Sequence, residues 1–414
     1  MTTLFTNIRK LVGCRDTWPM LRGADLAQLP SIENAFLVVE NGHIASYGPM
    51  SEFTYRSEDF SRHTDARGKM ILPAWCDSHT HLVFSGSREE EFVDKIRGLS
   101  YADIAAKGGG ILNSAQKLNE TTEEELYQQS LRRLEEVIRL GTGAIEIKSG
   151  YGLTVEGELK MLRVIRRLKN AVKIPVKATF LGAHAIPSAY KENREGYLDL
   201  LINEMLPRIG KEGLADYLDV FCEKGFFNPE ETEKLCLAGK GFGLKPKLHV
   251  NQLNSIGGIE AGLKHGAISL DHLETMTPED IQALALAPAT VATLLPSAAF
   301  FLRMPFQPAR SLIDAGCTVA LASDFNPGSS PSGNMNLVVA LSCIQMRMLP
   351  EEAINAATLN GAHAMEVADK AGSISVGKLA NLILTKPIPS LAYLPYAFGT
   401  NLVENVMVCG EWQN

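Results

Sequence analysis

A chain of 414 residues, 45% hydrophobic and 21% charged with no low-complexity tract, is longer than the roughly 250 to 300 residues one core uses and has the balance needed to fold nearly throughout. Its 47 acidic residues against 40 basic ones, a formal charge of -7 without a dense basic run, argue against nucleic-acid or anionic-membrane partners. No stretch approaches the roughly 20 apolar residues of a membrane span, the N-terminus lacks a signal-peptide run, and seven scattered cysteines without a CxxC pair fit reduced thiols, so a cytoplasmic protein is expected.

The N-terminal segment contains NAFLVVENGHIASYGP, an alternating strand with a turn at Asn41-Gly42. From about residue 70 to 350, short aliphatic or β-branched runs alternate with helical patterns. The candidate strands are MILPAWCDSH, GAIEIKS, VKATFLGAH, YLDVFCE, KLHV, AISLDHLE, TVATLLP and VALASD, the eight that a (β/α)8 barrel needs. Thr122 with Glu125 reads as a capping box opening the Leu126, Leu131, Leu134, Ile138 stripe, which Gly141 ends. Asn228-Pro229 and Thr277-Pro278 each read as an N-cap followed by proline at the first helical position. The tail offers SVGKLANLILTK and NLVENVMVCGEW, again strand-like. Neither end buries enough apolar surface alone, so the expected architecture is an α/β fold. Residues 66–373 are expected to form a (β/α)8 TIM barrel, and residues 1–65 and 374–414 to pair into one small β-rich module.

Barrel enzymes carry their chemistry at the C-terminal ends of strands. Five of the nine histidines fall there: His79 and His81 after strand one, His184 after three, His249 after five and His272 at six, with Glu223 after four and Asp324 after eight. For His43, His63, His265 and His363 a structural role is the better reading, and for Cys76 and Cys222 a small buried hydrophobe. Alternate residues of an extended segment point the same way, so His79 and His81 can reach one ion. With His249 and Asp324 they offer three nitrogens and a carboxylate, a good shell for zinc or iron.

In DSHTHLVFSGSRxxEF from Asp77, EIKSGYGL from Glu146, TFLGAHAIP from Thr179, DHLE from Asp271 and SDFNPGSSP from Ser323, the chain resembles the amidohydrolase superfamily and, within it, the imidazolonepropionase family. The likeness spans essentially the whole chain. It implies hydrolysis of 4-imidazolone-5-propanoate to N-formimino-L-glutamate with one zinc or iron ion, and a homodimer. A metal-activated water would attack the ring carbonyl, with His272 helping to hold the oxyanion and either His272 or Asp324 carrying the proton. The substrate's propanoate calls for a guanidinium fork, for which Arg88 is the choice over an exposed pair with Glu89 or Glu90. By resemblance Tyr151 and His184 line the ring, with Tyr101 as a further candidate, and Asn326, Gly328 and Ser329 hold polar groups of substrate or product.

Three residues after His249 many superfamily members carry glutamate, whereas this chain has Gln252, which can bind but not shuttle a proton. That residue and Arg88 weigh against the nearest rival, a nucleobase deaminase, which release of ammonia from cytosine or guanine would reveal. A non-catalytic scaffold predicts lost ligands, and none is lost. A binuclear site bridged by Glu223 lacks the usual lysine at the end of strand four.

Overall fold

The computed structural model describes residues 2–99 and 109–413. In the N-terminal part, β1 (Thr2–Val12), β2 (Ser31–Glu40) and β3 (His43–Pro49) form an antiparallel meander, β4 (Arg62–Asp65) and β5 (Met70–Pro73) lie parallel to β1, and Asn41 and Gly42 take the positive φ that a two-residue hairpin requires. The barrel strands follow: β6 (Trp75–Thr80), β7 (Thr142–Lys148), β8 (Val176–Ala183), β9 (Tyr217–Cys222), β10 (Lys245–Val250), β11 (Ser269–His272), β12 (Val291–Leu294) and β13 (Thr318–Leu321). They pair in parallel in chain order, and a bridge from Thr80 to Phe325 draws β6 toward the end of β13. The last strands, β14 (Leu382–Thr385), β15 (Val403–Val408) and β16 (Glu411–Gln413), join the N-terminal sheet because β14 pairs with β5. The fold is therefore a distorted (β/α)8 barrel with a small β-sandwich module from both termini.

One expected strand divides. MILPAWCDSH reads as a single barrel strand, but Met70–Pro73 belongs to the terminal sheet and only Trp75–Thr80 to the barrel. Pro73 has no N–H for a ladder, and the Ala74 N–H donates instead to Asn381 O at 2.9 Å, turning the chain from one sheet into the other. The terminal module thus extends past residue 65 to Pro73.

The helices start where the sequence places them. The helix Glu123–Arg139 opens on a capping box, with Glu125 N donating to Thr122 Oγ1 at 3.2 Å and Thr122 N to Glu125 Oε2 at 3.1 Å, and buries Leu126, Leu134 and Ile138. Gly141 follows it at φ 114°. Asn228 and Thr277 cap Pro229–Lys240 and Pro278–Ala285 in the same way. Thr122→Ala is expected to cost about 1 kcal/mol of stability, read as a lower denaturation midpoint at unchanged slope, with turnover unaffected. Among the described residues no helix is long and apolar enough to cross a membrane. All seven cysteines are free, and burial pushes the thiols of Cys76 and Cys222 up to about 12 and about 11, as expected of inert core residues.

Candidate metal centre

The seam where the barrel closes carries two of the site's segments. Asp324 N donates to His79 O at 3.0 Å and His81 N to Phe325 O at 2.9 Å, while Ser323 donates from N and Oγ to the Asp77 carboxylate at 2.9 and 2.6 Å. The backbone is bent to serve the site: Asn251, His272, Leu273 and Asp324 all sit at positive φ, between 53° and 88°, a region that costs a non-glycine residue about 1–3 kcal/mol.

At the C-terminal mouth the four expected ligand residues meet, all buried. His81 Nε2 lies 3.2 Å from His249 Nε2, and Asp324 Oδ1 lies 3.4 Å from His79 Nε2 and 3.5 Å from His81 Nε2. Ligand atoms about 2.0–2.1 Å from a tetrahedral zinc stand about 3.3–3.4 Å from one another, so this spacing is that of a metal shell. Hydrogen positions agree. His79 Nδ1 donates to Asp271 Oδ2 at 2.7 Å and His249 Nδ1 to Asp219 Oδ2 at 2.8 Å, which leaves both Nε2 atoms as lone pairs facing other acceptors. His79 Nε2 is buried without a hydrogen-bond partner, an arrangement that a cation relieves. Burial first, then neighbouring imidazoles and, for His79 especially, Lys148, hold His79, His81 and His249 well below the usual histidine range, in the neutral form that binds metals. Burial also pushes Asp324 up to about 7, against the opposing pull of His272. A second trio, His79, His272 and Asp324, lies close enough to hold an ion as well. The first set is the better shell, because His249 is held in the neutral form with its Nδ1 2.8 Å from a carboxylate oxygen, whereas the pKa of His272 is raised and its Nδ1 stands 3.3 Å from Glu274.

His272 stands beside this group, its ring centroid 5.2 Å from that of His249 and 5.7 Å from that of His79. Its Nδ1 is 3.3 Å from Glu274 Oε1, which also accepts from Gln307 Nε2 at 2.9 Å. Burial works against a charged His272, but Glu274, with Asp324 and Asp271, outweighs it and raises its pKa. Glu223 faces elsewhere: its carboxylate accepts from the backbone of Lys224, Leu253 and Asn254 and from Asn254 Nδ2, fixing the loop that presents Gln252. It is spent on that loop rather than on a second ion.

A cavity of about 790 Å³ opens over these residues, lined by His81, Tyr151, His184, His249, His272 and Asp324 together with Arg88, Lys95 and Glu91, the Arg88 guanidinium carbon lying 5.8 Å from the Tyr151 ring centroid. Phe221, Phe226 and Phe301 supply apolar wall, and Gln252, Asn326, Gly328 and Ser329 complete the lining. Arg88 is no surface arginine. Its side chain is 10% exposed, Nε donates to Ser114 Oγ at 2.8 Å with Glu91 4.0 Å away, and Nη2 is buried without a partner among the described residues. A Cβ at Gly328 would lie 2.4 Å from Arg88 Nη1, so only glycine lets the guanidinium lie there. His184 stacks on His81 with centroids 5.4 Å apart, and its Nδ1 donates to Gly150 O at 2.9 Å. Burial pulls its pKa down to about 4, so its Nε2 is an acceptor. Tyr151 is held by its loop, where Glu158 accepts from the N–H groups of Gly150, Gly152 and Leu153 at 3.1, 2.7 and 2.9 Å. A Cβ on Gly152 would meet Glu158 N at 2.2 Å.

The Asn326 amide is engaged within its own loop. Nδ2 donates to Asp324 O and Ser329 Oγ, both at 2.7 Å, and Oδ1 accepts from Gly328 N and Ser329 N at 2.8 Å. Ser329 Oγ in turn donates to Asp324 Oδ2 at 3.2 Å, steering Oδ1 to the histidines. Tyr101 lies outside the described residues. Of the four histidines read as structural, His63 bonds Thr6, His363 bonds Trp18 O, His43 bonds Asn41 O, and His265 lies 3.7 Å from Glu233.

Sequence reasoning passed over Asp219, Asp271, Glu274 and Lys95. Asp219 and Asp271 left a usable signal, since an acidic residue inside an aliphatic parallel strand is costly unless a donor meets it.

The comparisons with known proteins agree with this geometry. A profile of the amidohydrolase family matches residues 228–412. An imidazolonepropionase from Flavobacterium johnsoniae is 60% identical over 412 residues, covering 99% of this chain and 100% of its own length. Another from Clostridium tetani is 44% identical over 390 residues, covering 94% and 93%. Among solved structures, E. coli guanine deaminase superposes with a TM-score of 0.74 at 13% identity, covering 100% of this chain and 98% of its own. An atrazine chlorohydrolase from Arthrobacter aurescens, complexed with zinc, superposes with a TM-score of 0.70 at 16% identity, covering 99% and 94%. At such identities the structural likeness speaks for the fold alone. The sequence relatives, alike over nearly their whole length, decide the family: this chain belongs to the imidazolonepropionases of the amidohydrolase superfamily.

Proposed function

We infer that the protein hydrolyses 4-imidazolone-5-propanoate to N-formimino-L-glutamate in histidine degradation, at a centre holding one zinc or iron ion. The observation that carries this reading is one cavity lined both by donors of the metal centre and by Arg88, whose Nη2 has no partner among the described residues. Three imidazoles and a carboxylate suit either metal.

When bound, the ion supplies a Lewis acid that acidifies water and polarises a carbonyl. Arg88 receives the propanoate in a two-point, charge-assisted contact, which places the ring toward the histidines. Tyr151 and His184 line the ring, His184 Nε2 accepting a ring N–H, while Gln252 pairs with a remaining ring heteroatom. His272 Nε2 takes the proton of the attacking water and delivers it to the ring nitrogen as the amide C–N bond breaks, with Glu274 keeping the imidazole aimed. Asp324 Oδ2 is the alternative proton carrier, tethered by Ser329. The former carbonyl carbon leaves as a carboxylate and the nitrogen as the formimino amine, so one water is consumed and no other reactant is needed. The accompanying proposals are a cytoplasmic setting, supported by the free thiols, and a homodimer, readable by light scattering.

The test joins substrate to residue. Purified protein should open the ring of imidazolonepropanoate, and Arg88→Ala should cut kcat/KM by about 2–5 kcal/mol of transition-state binding, with Arg88→Lys recovering only part. An imidazolone lacking the propanoate should react poorly and be indifferent to the substitution. Equal impairment on both substrates would reject the carboxylate contact.

A further inference from the structure

Beneath the histidines lies a fully buried set of charges that the mechanism above does not use. Lys148, at the end of β7, is 0% exposed, with Nζ 2.8 Å from Glu146 Oε1, 2.9 Å from Asp219 Oδ2 and 3.6 Å from Asp271 Oδ2. The two aspartate oxygens are the same ones that accept from His249 Nδ1 and His79 Nδ1, at 2.8 and 2.7 Å. A single ammonium therefore stands midway in a chain of contacts running His79, Asp271, Lys148, Asp219, His249. Glu146 anchors the lysine from below. Its Oε1 accepts from Thr179 Oγ1 at 2.7 Å, and its Oε2 lies 2.7 Å from Lys247 Nζ, which also donates to Ala364 O at 2.7 Å.

We propose that Lys148 is a positioning residue of the metal centre, a cation in contact with both carboxylates which aim His79 and His249, and so sets how tightly the site binds its ion. The proposal rests on the metal reading given above. Asp219 and Asp271 are buried anions converging on one point, and without a cation between them they repel in a medium that screens little. As they separate they carry the two Nδ1 contacts with them, and the Nε2 atoms lose their common focus. A role as mere filler in the barrel floor makes the opposite forecast, because methionine matches the length and apolar stem of lysine and would leave the histidines aimed.

The experiment compares metal-free wild type with Lys148→Met, each refilled with zinc in competition with a chromogenic chelator, and each loaded with cobalt(II) for its absorption spectrum. Zinc affinity should fall about 10–100-fold and the cobalt spectrum should change, with kcat lowered more than KM. Because Lys148→Met leaves buried anions in excess, which lowers stability, a second variant combines Lys148→Met with Glu146→Gln and so removes one charge of each sign. That variant should regain thermal stability without regaining zinc affinity. In an Asp219→Asn, Asp271→Asn background, adding Lys148→Met should change affinity little, since the lysine acts through those carboxylates. Wild-type affinity and spectrum in Lys148→Met, or affinity that returns together with stability in the charge-balanced variant, would overturn the proposal. Failure of wild type itself to bind zinc or cobalt would overturn the metal reading, a separate result seen before any variant is made.

Discussion

His249→Ala is expected to yield a folded protein that no longer retains a metal and no longer turns over substrate. His249 supplies one of four donors spaced for a single ion, and its Nδ1 is locked to Asp219, so the loss removes a ligand already oriented for binding rather than one that rearranges on loading. Metal content by elemental analysis and kcat should fall together to background, because acidifying water at neutral pH needs the ion. Chelation of wild type should reach the same end point, with activity restored when zinc or iron is returned. Circular dichroism should keep its barrel signal, since the aliphatic core around the strands is untouched. Full activity in a preparation free of transition metals would sink the central claim.

His272→Ala is expected to behave differently: kcat should drop by about two to four orders of magnitude, the usual worth of general acid–base help, while metal content stays at the wild-type level. The ring is set to one side of the tightest donor group, and its Nδ1 is committed to Glu274, itself buttressed by Gln307. This pair of substitutions also decides between the two trios that lie close enough to hold an ion. Metal lost in His272→Ala but kept in His249→Ala would assign the ion to His79, His272 and Asp324 and make His249 the proton carrier.

The residues that carry the site were legible because barrel geometry exports them. His79 and His249 stand in the last residues of barrel strands and His81 and Asp324 just beyond them, the place where barrel enzymes carry their chemistry. The caps at Thr122, Asn228 and Thr277 were legible for a local reason, since a capping box closes within four residues. What the sequence hid is long-range pairing. In GAIEIKS, Glu146 and Lys148 alternate with isoleucine as they would on a half-exposed sheet, yet a closed barrel gives a strand no wet face, and both residues pair inward. The division of MILPAWCDSH was hidden too, because its partner strand lies near the other end of the chain. Arg88 came from the propanoate that the resemblance implies and from its place seven residues after His81. Only the fold reveals that its Nη2 is left unpaired among the described residues.

The pairing of β5 with β14 sets an order on biosynthesis. Ile71 and Leu72, buried in the finished sheet, wait for Leu384 and Ile383, which leave the ribosome roughly 300 residues later, about 15 to 60 s at ordinary elongation rates. Through that interval one edge of β5 is open and apolar, the kind of edge that recruits neighbouring nascent chains. A message truncated shortly before Leu382 would carry every ligand of the metal centre and still be a poor source of enzyme, since its product would emerge with that edge permanently uncovered. Insoluble product, rather than an inactive soluble one, is the natural fate of such a fragment, and slower growth or added chaperone is the natural remedy when the intact chain is overproduced.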